Sequence, residues 1–165
     1  MSRGTLVGGI GNIFLGDDGF GVEVVRRLAQ RPPRPDVHIA DFGIRSLDLA
    51  YALADGFEDV ILVDAMPRGK PVGTLTVIEP SRNELVNAEP MSGLAAHGFG
   101  PAQVLEMAVA FGGQRAGRIR IVGCEPGEFP PESDVYIGLS APVAAAVERA
   151  VELVEELVQE RARRA

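Results

Sequence analysis

The sequence lacks most of the features that mark secreted, membrane-spanning or nucleic-acid-binding proteins. Its 165 residues include a single cysteine, Cys124, so no internal disulfide can form, as expected in a reducing cytosol. No apolar run reaches the roughly 18 residues that cross a bilayer, and no basic segment followed by an apolar one opens the chain. The net charge of −7 disfavours nucleic acid or an anionic membrane as a partner. We therefore expect a cytoplasmic protein with neither kind of partner.

Strand-like and helix-like segments alternate along the chain, without a linker or an internal repeat. This alternation predicts one domain, residues 1–165, with an α/β fold: a three-layer sandwich in which a mostly parallel five-stranded sheet is flanked by helices on both faces. The strand after residue 73 is reached without a helix, so we expect it to be antiparallel at an edge. The predicted strands are 5–10, 37–40, 60–63, 73–78 and 119–123. The predicted helices are 19–30, 46–54 and 101–111, and a last long helix follows Ser140. Ser46 and Ser140 are the expected N-terminal caps of their helices.

A glycine-rich loop, residues 8–21, joins the first predicted strand to the first helix. Its glycines permit positive φ and close backbone approach. It carries two adjacent carboxylates, Asp17 and Asp18, of which we expect one to cap the helix and the other to face a cleft above the sheet. Ordinary acids of a first helical turn fit the pattern equally well. Phe14 occupies the third glycine position of the dinucleotide fingerprint, and two carboxylates repel phosphate, so the loop suits a cation better than a dinucleotide.

Carboxylates follow three successive predicted strands. Asp17 and Asp18 follow the first strand, Asp41 the second and Asp64 the third. Because parallel strands bring their carboxyl ends to one edge of a sheet, we expect these side chains to gather there. They would repel one another unless a cation or a proton compensates their charge. The pattern therefore predicts a metal or cation site, although each acid alone also fits a helix cap or a loop residue bonded to backbone.

His97 adds a possible nitrogen ligand, because it lies in a loop of small residues that leads into a predicted helix. Two aspartates and a histidine form a mixed oxygen and nitrogen set that suits a borderline divalent ion such as nickel or zinc. The alternative is a loop histidine bonded to backbone. Without thiolates such a set should bind weakly, which suits a site that meets its metal on a partner. The other histidine, His38, is expected to be structural or exposed.

Three residues near the strand ends have simpler interpretations. Cys124 ends a buried strand and is expected to be a small apolar side chain, with a nucleophilic role beside His97 as the alternative. Glu125 is expected to shape the turn that leaves the sheet. Asn12 is expected to bond loop backbone, with substrate contact as the alternative.

The motif Gly9-x-Gly11-Asn12-x-x-x-Gly16-Asp17-Asp18-Gly19-x-Gly21 resembles the opening motif of the hydrogenase maturation proteases. These are cytoplasmic endopeptidases that trim the C-terminus of the large subunit of nickel–iron hydrogenases. The resemblance continues through residues 63–65, His97, 104–105, 122–126 and 137–140, and so spans nearly the whole chain. It implies a twisted five-stranded sheet flanked by helices, an endopeptidase activity and a large-subunit precursor as the partner.

Carried over position by position, the metal-contacting residues of the family correspond to Asp18, Asp64 and His97, which are also the expected catalytic residues. The resemblance implies that Ni²⁺ is supplied by the substrate, that the protease senses the inserted nickel, and that cleavage releases a short C-terminal peptide. Two mechanisms stay open: nickel polarises the carbonyl or activates a water, or Asp18 or Asp64 acts as general base. We expect the isolated protein to be largely metal-free.

Asn12, Asp41 and Gly43 are the predicted substrate-binding residues. Relatives often show Asp-Gly-Gly-Thr after the second strand, whereas residues 41–44 of this chain are Asp-Phe-Gly-Ile. If that loop touches substrate, Phe42 and Ile44 would alter which large subunit is recognised. Two other functions remain as alternatives: a non-proteolytic metal-sensing maturation chaperone and a nucleotide-binding module.

Overall fold

The computed structural model describes residues 3–81, 117–131 and 133–164. The predicted helix 101–111 and His97 lie outside these ranges. The elements, in chain order, are β1 (Arg3–Ile10), α1 (Phe20–Leu28), β2 (Val37–Gly43), α2 (Ser46–Ala54), β3 (Phe57–Ala65), β4 (Leu75–Ile78), β5 (Arg118–Cys124) and α3 (Ala141–Arg164), and a single 3-10 turn, Gly16–Gly19, leads into α1.

The five strands form one sheet in the order β2-β1-β3-β5-β4. The first four are parallel, and β4 pairs antiparallel with β5 at the edge, as predicted. After β1 the chain moves to one side of that strand to form β2 and then returns to its other side to form β3. The carboxyl ends of β1 and β3 therefore flank a topological switch point, the position at which open α/β sheets bind ligands.

Helices cover both faces of the sheet, which confirms the three-layer α/β sandwich. Helices α1 and α3 pack on one face, and α2 packs on the other. Because both faces are covered, alternate residues of the central strands serve both layers: Ile61 and Val63 of β3 pack with α1 and α3, while Val60 and Leu62 pack with α2. The predicted apolar stripe of α3 is buried, and it consists of Val143, Val147, Val151, Val154 and Val158.

Several boundaries differ from the predicted ones, because the strands are longer than their apolar runs. Asp41 and Asp64 lie inside β2 and β3, one to two residues before the strands end. Helix α2 begins at Ser46 itself, with Arg45 at the cap position, and the buried Ser46 hydroxyl has no hydrogen-bond partner among the described residues. The predicted Ser46 cap is therefore wrong. Ser140 does directly precede α3, but its hydroxyl bonds to Asp17.

A buried ion pair lies near the amino end of the parallel strands, far along β3 and β5 from the switch point. The Arg120 guanidinium contacts the Asp59 carboxylate, and both side chains are almost fully buried. Arg120 also contacts Glu160 of α3 at 3.2 Å and donates to the Leu157 carbonyl at 3.2 Å. Within the ranges that the structure covers, none of the helices is both long and apolar enough for a membrane span.

Candidate active site at the ends of the first and third strands

Glycines bring the start of α1 against the ends of β1 and β3. A Cβ atom on Gly21 would lie 2.0 Å from the Val63 carbonyl oxygen and 2.4 Å from that of Ile10. A Cβ on Gly11, whose φ is +135°, would lie 1.8 Å from the Asp18 carbonyl oxygen. Side chains at these positions would push the helix and its loop off the sheet, so the glycines fix where Asp18 sits.

Asp17 does not cap helix α1, although the sequence allowed that role. Its buried carboxylate accepts hydrogen bonds from the Gly127 N–H at 2.8 Å, the Ser140 N–H at 2.6 Å and the Ser140 hydroxyl at 2.8 Å. The cap residue of α1 is Gly19, and within the part of the chain that the structure describes no side chain caps this helix. The acids miss the cap position because the 3-10 turn Gly16–Gly19 contains both of them and precedes the helix.

Asp18 is also buried, and the loop holds its carboxylate in a fixed orientation. Oδ2 of Asp18 accepts a hydrogen bond from the Asn12 N–H at 2.9 Å. The side-chain oxygen of Asn12 in turn accepts from the Phe14 N–H at 2.9 Å. Asn12 therefore bonds loop backbone, as expected, and its role in substrate binding stays a prediction.

Asp64 is fully buried and carries an oxygen that lacks a partner. Oδ1 accepts from the Ala65 N–H at 2.8 Å, whereas Oδ2 has no hydrogen-bond partner in the part of the chain that the structure describes. Burial raises the pKa of Asp64 well above its usual range, the negative charge of Asp18 raises it further, and the Ala65 hydrogen bond partly opposes both. A buried carboxylate oxygen beside a second carboxylate demands a cation or a proton, so these two residues fit a metal ligand pair.

The third predicted ligand, His97, is not among the described residues. Over residues 3–81, 117–131 and 133–164, no three histidine, cysteine, aspartate or glutamate side chains form a group that could hold a metal. The geometry therefore brings together Asp18 and Asp64, and the contribution of His97 stays a prediction.

Asp41 has a counter-charge of its own. It lies opposite Gly9 in the parallel pairing of β2 with β1, and its carboxylate is 3.4 Å from the Arg26 guanidinium of α1. Gly43, at φ +53°, ends β2, and its carbonyl accepts from the Gly11 N–H at 3.0 Å. These residues therefore border the loop of the candidate site, and their role in substrate binding stays a prediction.

Comparison with known proteins decides the family. The profile of the family described as hydrogenase maturation protease matches residues 22–157. The chain belongs to the hydrogenase maturation protease family. Because the matched range starts after the glycine-rich loop, the match is independent of the opening motif. The chain is 34% identical to the hydrogenase 2 maturation protease of Escherichia coli K12 over 145 residues, which cover 87% of this chain and 83% of that protein.

Solved structures of family members have the same fold. The hydrogenase maturating endopeptidase HybD from E. coli superposes with a TM-score of 0.79 at 28% identity, covering 96% of this chain and 93% of that one. The [NiFe] hydrogenase maturation protease HybD from Thermococcus kodakarensis gives a TM-score of 0.71 at 26% identity, with 94% and 99% covered. This hydrogenase maturation protease is therefore an endopeptidase, as the resemblance predicted.

Two further predictions for this maturation protease concern Phe42, near the end of β2, and Ile44, directly after it. Phe42 is buried in the layer below α2, and its ring lies where a Cβ on Gly8 would be only 2.8 Å away. Phe42 therefore packs in the core, and its effect on substrate choice stays a prediction. Ile44 is 40% exposed and can still contact substrate. The Arg45 Nε donates to the Phe42 carbonyl at 3.2 Å and so holds the turn after β2, a role that no sequence pattern predicted.

Cys124 has none of the properties of a protease nucleophile. It is fully buried in the core beside Ala65, and burial raises the pKa of its thiol to about 12, with smaller contributions from the negative charges of Asp17 and Glu125. A reactive cysteine needs the opposite, a lowered pKa and access. Glu125 shapes the turn after β3 by accepting from the backbone N–H groups of Arg68 at 2.8 Å and Gly69 at 3.1 Å. The turn expected from the sequence was the one that leaves the sheet after β5, whereas the Glu125 carboxylate bonds the loop after β3.

Proposed function

We propose that this protein removes a C-terminal peptide from the nickel-loaded large-subunit precursor of a nickel–iron hydrogenase, and that it senses the inserted nickel through Asp18, Asp64 and His97. The observation that carries the proposal is Oδ2 of Asp64, which is buried beside the Asp18 carboxylate and has no hydrogen-bond partner over residues 3–81, 117–131 and 133–164. The choice of substrate rests on relatives named for hydrogenase maturation, one of them specifically for [NiFe] hydrogenase.

The two aspartates are oriented before any metal arrives. One oxygen of each carboxylate accepts a backbone N–H, from Asn12 for Asp18 and from Ala65 for Asp64. A set of two carboxylates and one imidazole holds nickel weakly by itself, so affinity comes when ligands of the substrate hold the same ion. A precursor without nickel would then bind poorly, and cleavage would report that metal insertion is complete.

The chemical step needs a polarised carbonyl or an activated water. A divalent ion at the site supplies either effect when it is bound. On this chain, Oδ2 of Asp64 would accept a proton from a water, because it lies beside Asp18 near the carboxyl end of β3 and has no hydrogen-bond partner among the described residues. We propose that the reaction takes place in the cytoplasm, where maturation precedes closure of the large subunit around its metal centre.

The test is a cleavage assay read by mass spectrometry. Nickel-loaded and nickel-free precursors from the same source are incubated with the wild-type protein and with the Asp18→Ala, Asp64→Ala and His97→Ala variants. Asp55→Asn is the control, because Asp55 is an exposed acid that pairs with Arg3 before β3 begins. We expect peptide loss from the nickel-loaded precursor with the wild type and the control, and none with the three site variants. Equal cleavage of the nickel-free precursor would overturn nickel sensing.

The cleavage assay tests the first alternative, and retention on a nucleotide resin tests the second. A metal-sensing chaperone would bind the nickel-loaded precursor without any loss of mass. A nucleotide-binding module would be retained on a nucleotide resin, but the buried carboxylates of Asp17 and Asp18 occupy the turn before α1 where phosphates would approach.

A further inference from the structure

Four large apolar side chains are exposed on two paired chain segments next to the loop of the candidate site. We call them the rim patch: Phe14, Val135, Tyr136 and Ile137, which are 50%, 71%, 61% and 70% exposed. Single exposed apolar residues are common on protein surfaces, but several of them on adjoining segments favour an interaction site.

The rim patch is built from two chain segments that backbone hydrogen bonds hold together. The Gly16 N–H donates to the Tyr136 carbonyl at 2.8 Å, and the Tyr136 N–H donates to the Phe14 carbonyl at 2.9 Å. The two segments thus form a short parallel bridge between Leu15 and Tyr136. Since both backbone groups of Tyr136 face residues 14–16, those of Val135 and Ile137 face the opposite side. The patch therefore presents apolar side chains along a strand edge.

The rim patch shares its backbone with the candidate site. Phe14 bonds to the Asn12 side chain through its N–H, and the Asn12 N–H bonds to the Asp18 carboxylate. Asp17 ties the same loop to Ser140, which follows the patch segment by three residues. Two hydrogen bonds thus lead from the patch to the proposed metal ligand, so a polypeptide bound at Asp18 lies next to the patch.

We propose that the rim patch docks an extended apolar segment of the large-subunit precursor next to its cleavage site. The proposal rests on the proposed function, since that function names the precursor as substrate. The carboxylate pair binds nickel too weakly to hold a whole protein, so the substrate needs further contact area close to Asp18. The patch offers apolar side chains for that contact, and its strand edge can pair with an extended chain, as in other β-augmentation sites.

The experiment compares patch variants with a matched control in two assays. Ile137→Ser and the double variant Tyr136→Ser/Ile137→Ser remove exposed apolar surface, while Tyr51→Ser removes an exposed tyrosine from the middle of α2. The affinity for nickel-loaded precursor is measured by biolayer interferometry, and KM and kcat are measured by the mass-spectrometric assay. We expect the double variant to raise Kd and KM about tenfold or more with kcat unchanged. The control should match the wild type, and circular dichroism should confirm that all the variants fold.

The outcomes separate this proposal from the proposed function. A wild type that cleaves, with patch variants of unchanged Kd and KM, would overturn the rim patch alone. A wild type that binds the precursor without cleaving it would overturn the proteolytic function, and the Kd of the variants would still decide the patch. A concentration-dependent dimer that the Ile137→Ser variant abolishes, with precursor binding intact, would assign the patch to a second copy of this chain and overturn the proposal. If the double variant does not fold, Ile137→Ser decides, because that side chain is 70% exposed.

Discussion

The carboxylate of Asp17 is bonded twice to Ser140, a residue 123 positions further along the chain, through the backbone N–H at 2.6 Å and the hydroxyl at 2.8 Å. A third bond comes from the Gly127 N–H. One buried side chain thus joins the loop that carries Asp18, the loop after β5 and the start of α3. We regard Asp17 as a positioning residue, because it acts on the site through its neighbours.

Replacing Asp17 by alanine should loosen this junction. We expect a loss of about 2–4 kcal/mol in the free energy of unfolding, because three donors to a buried charge lose their acceptor. The measurement is urea unfolding. Ser140→Ala, which removes only the hydroxyl bond, is the matched control and should lose about 1 kcal/mol. Equal losses in the two variants would show that the backbone bonds to Asp17 contribute little.

Replacing Asp64 by asparagine should stabilise the protein at neutral pH while abolishing cleavage. The raised pKa of Asp64 means that its ionised form destabilises the folded state. At a pH above the pKa of Asp64 in the folded protein, the ionised carboxylate destabilises the wild type by the full amount. This destabilisation falls as the pH drops through that pKa towards 3.8, the pKa of an unperturbed aspartate. The Asp64→Asn variant should therefore melt higher than the wild type at pH 8, by about 2–4 °C for each kcal/mol relieved, and the gap should close near pH 4.

Differential scanning calorimetry across this pH range provides the measurement, with Asp55→Asn as the control for loss of an exposed acid. If Asp64→Asn melted lower than the wild type at pH 8, the ionised Asp64 carboxylate would have to be stabilised by a partner in the metal-free protein. Its burial would then not destabilise the folded state.

Cys124 should be chemically silent. With a thiol pKa of about 12, about one molecule in ten thousand carries the thiolate at pH 8, so iodoacetamide should not label the folded protein. Labelling should become complete in urea. The Cys124→Ala variant should retain wild-type kcat for the precursor while losing about 1–2 kcal/mol of stability through the small cavity. Loss of cleavage in a folded Cys124→Ala protein would revive the thiol mechanism.

The buried pair of Arg120 and Asp59 should matter for stability and not for cleavage. The Asp59→Ala variant leaves the Arg120 guanidinium buried with Glu160 as its remaining acidic partner, and we expect a loss of about 3 kcal/mol, the lower end for such pairs. The double variant Asp59→Leu/Arg120→Met removes both charges and should recover most of that loss in urea unfolding. If the double variant were as unstable as Asp59→Ala, the loss in the free energy of unfolding would come from altered packing and not from the unpaired charge of Arg120.

Much of the architecture follows from local patterns in the sequence. The β-branched run of residues 60–63 identified the central strand, and the helix-free connection before residue 73 identified the antiparallel edge strand. The rule that parallel strands end at one edge of a sheet predicted that Asp18 and Asp64 lie close together. These inferences succeed because side-chain periodicity and strand polarity depend on residues that are close in sequence.

The roles of individual side chains at the rim depended instead on segments that are distant in sequence. From the sequence, Asp17 fitted the role of a helix cap equally well. In the folded protein Gly127 and Ser140 donate hydrogen bonds to it instead. Phe42 is a core residue because Gly8, on the neighbouring strand β1, has no side chain and leaves room for its ring. The rim patch exists only where residues 14–16 pair with Tyr136. Sequence alone determined the family, the sheet and the carboxylate pair, whereas tertiary structure decided which polar groups found partners, because a buried hydrogen bond depends on where both partners lie in space.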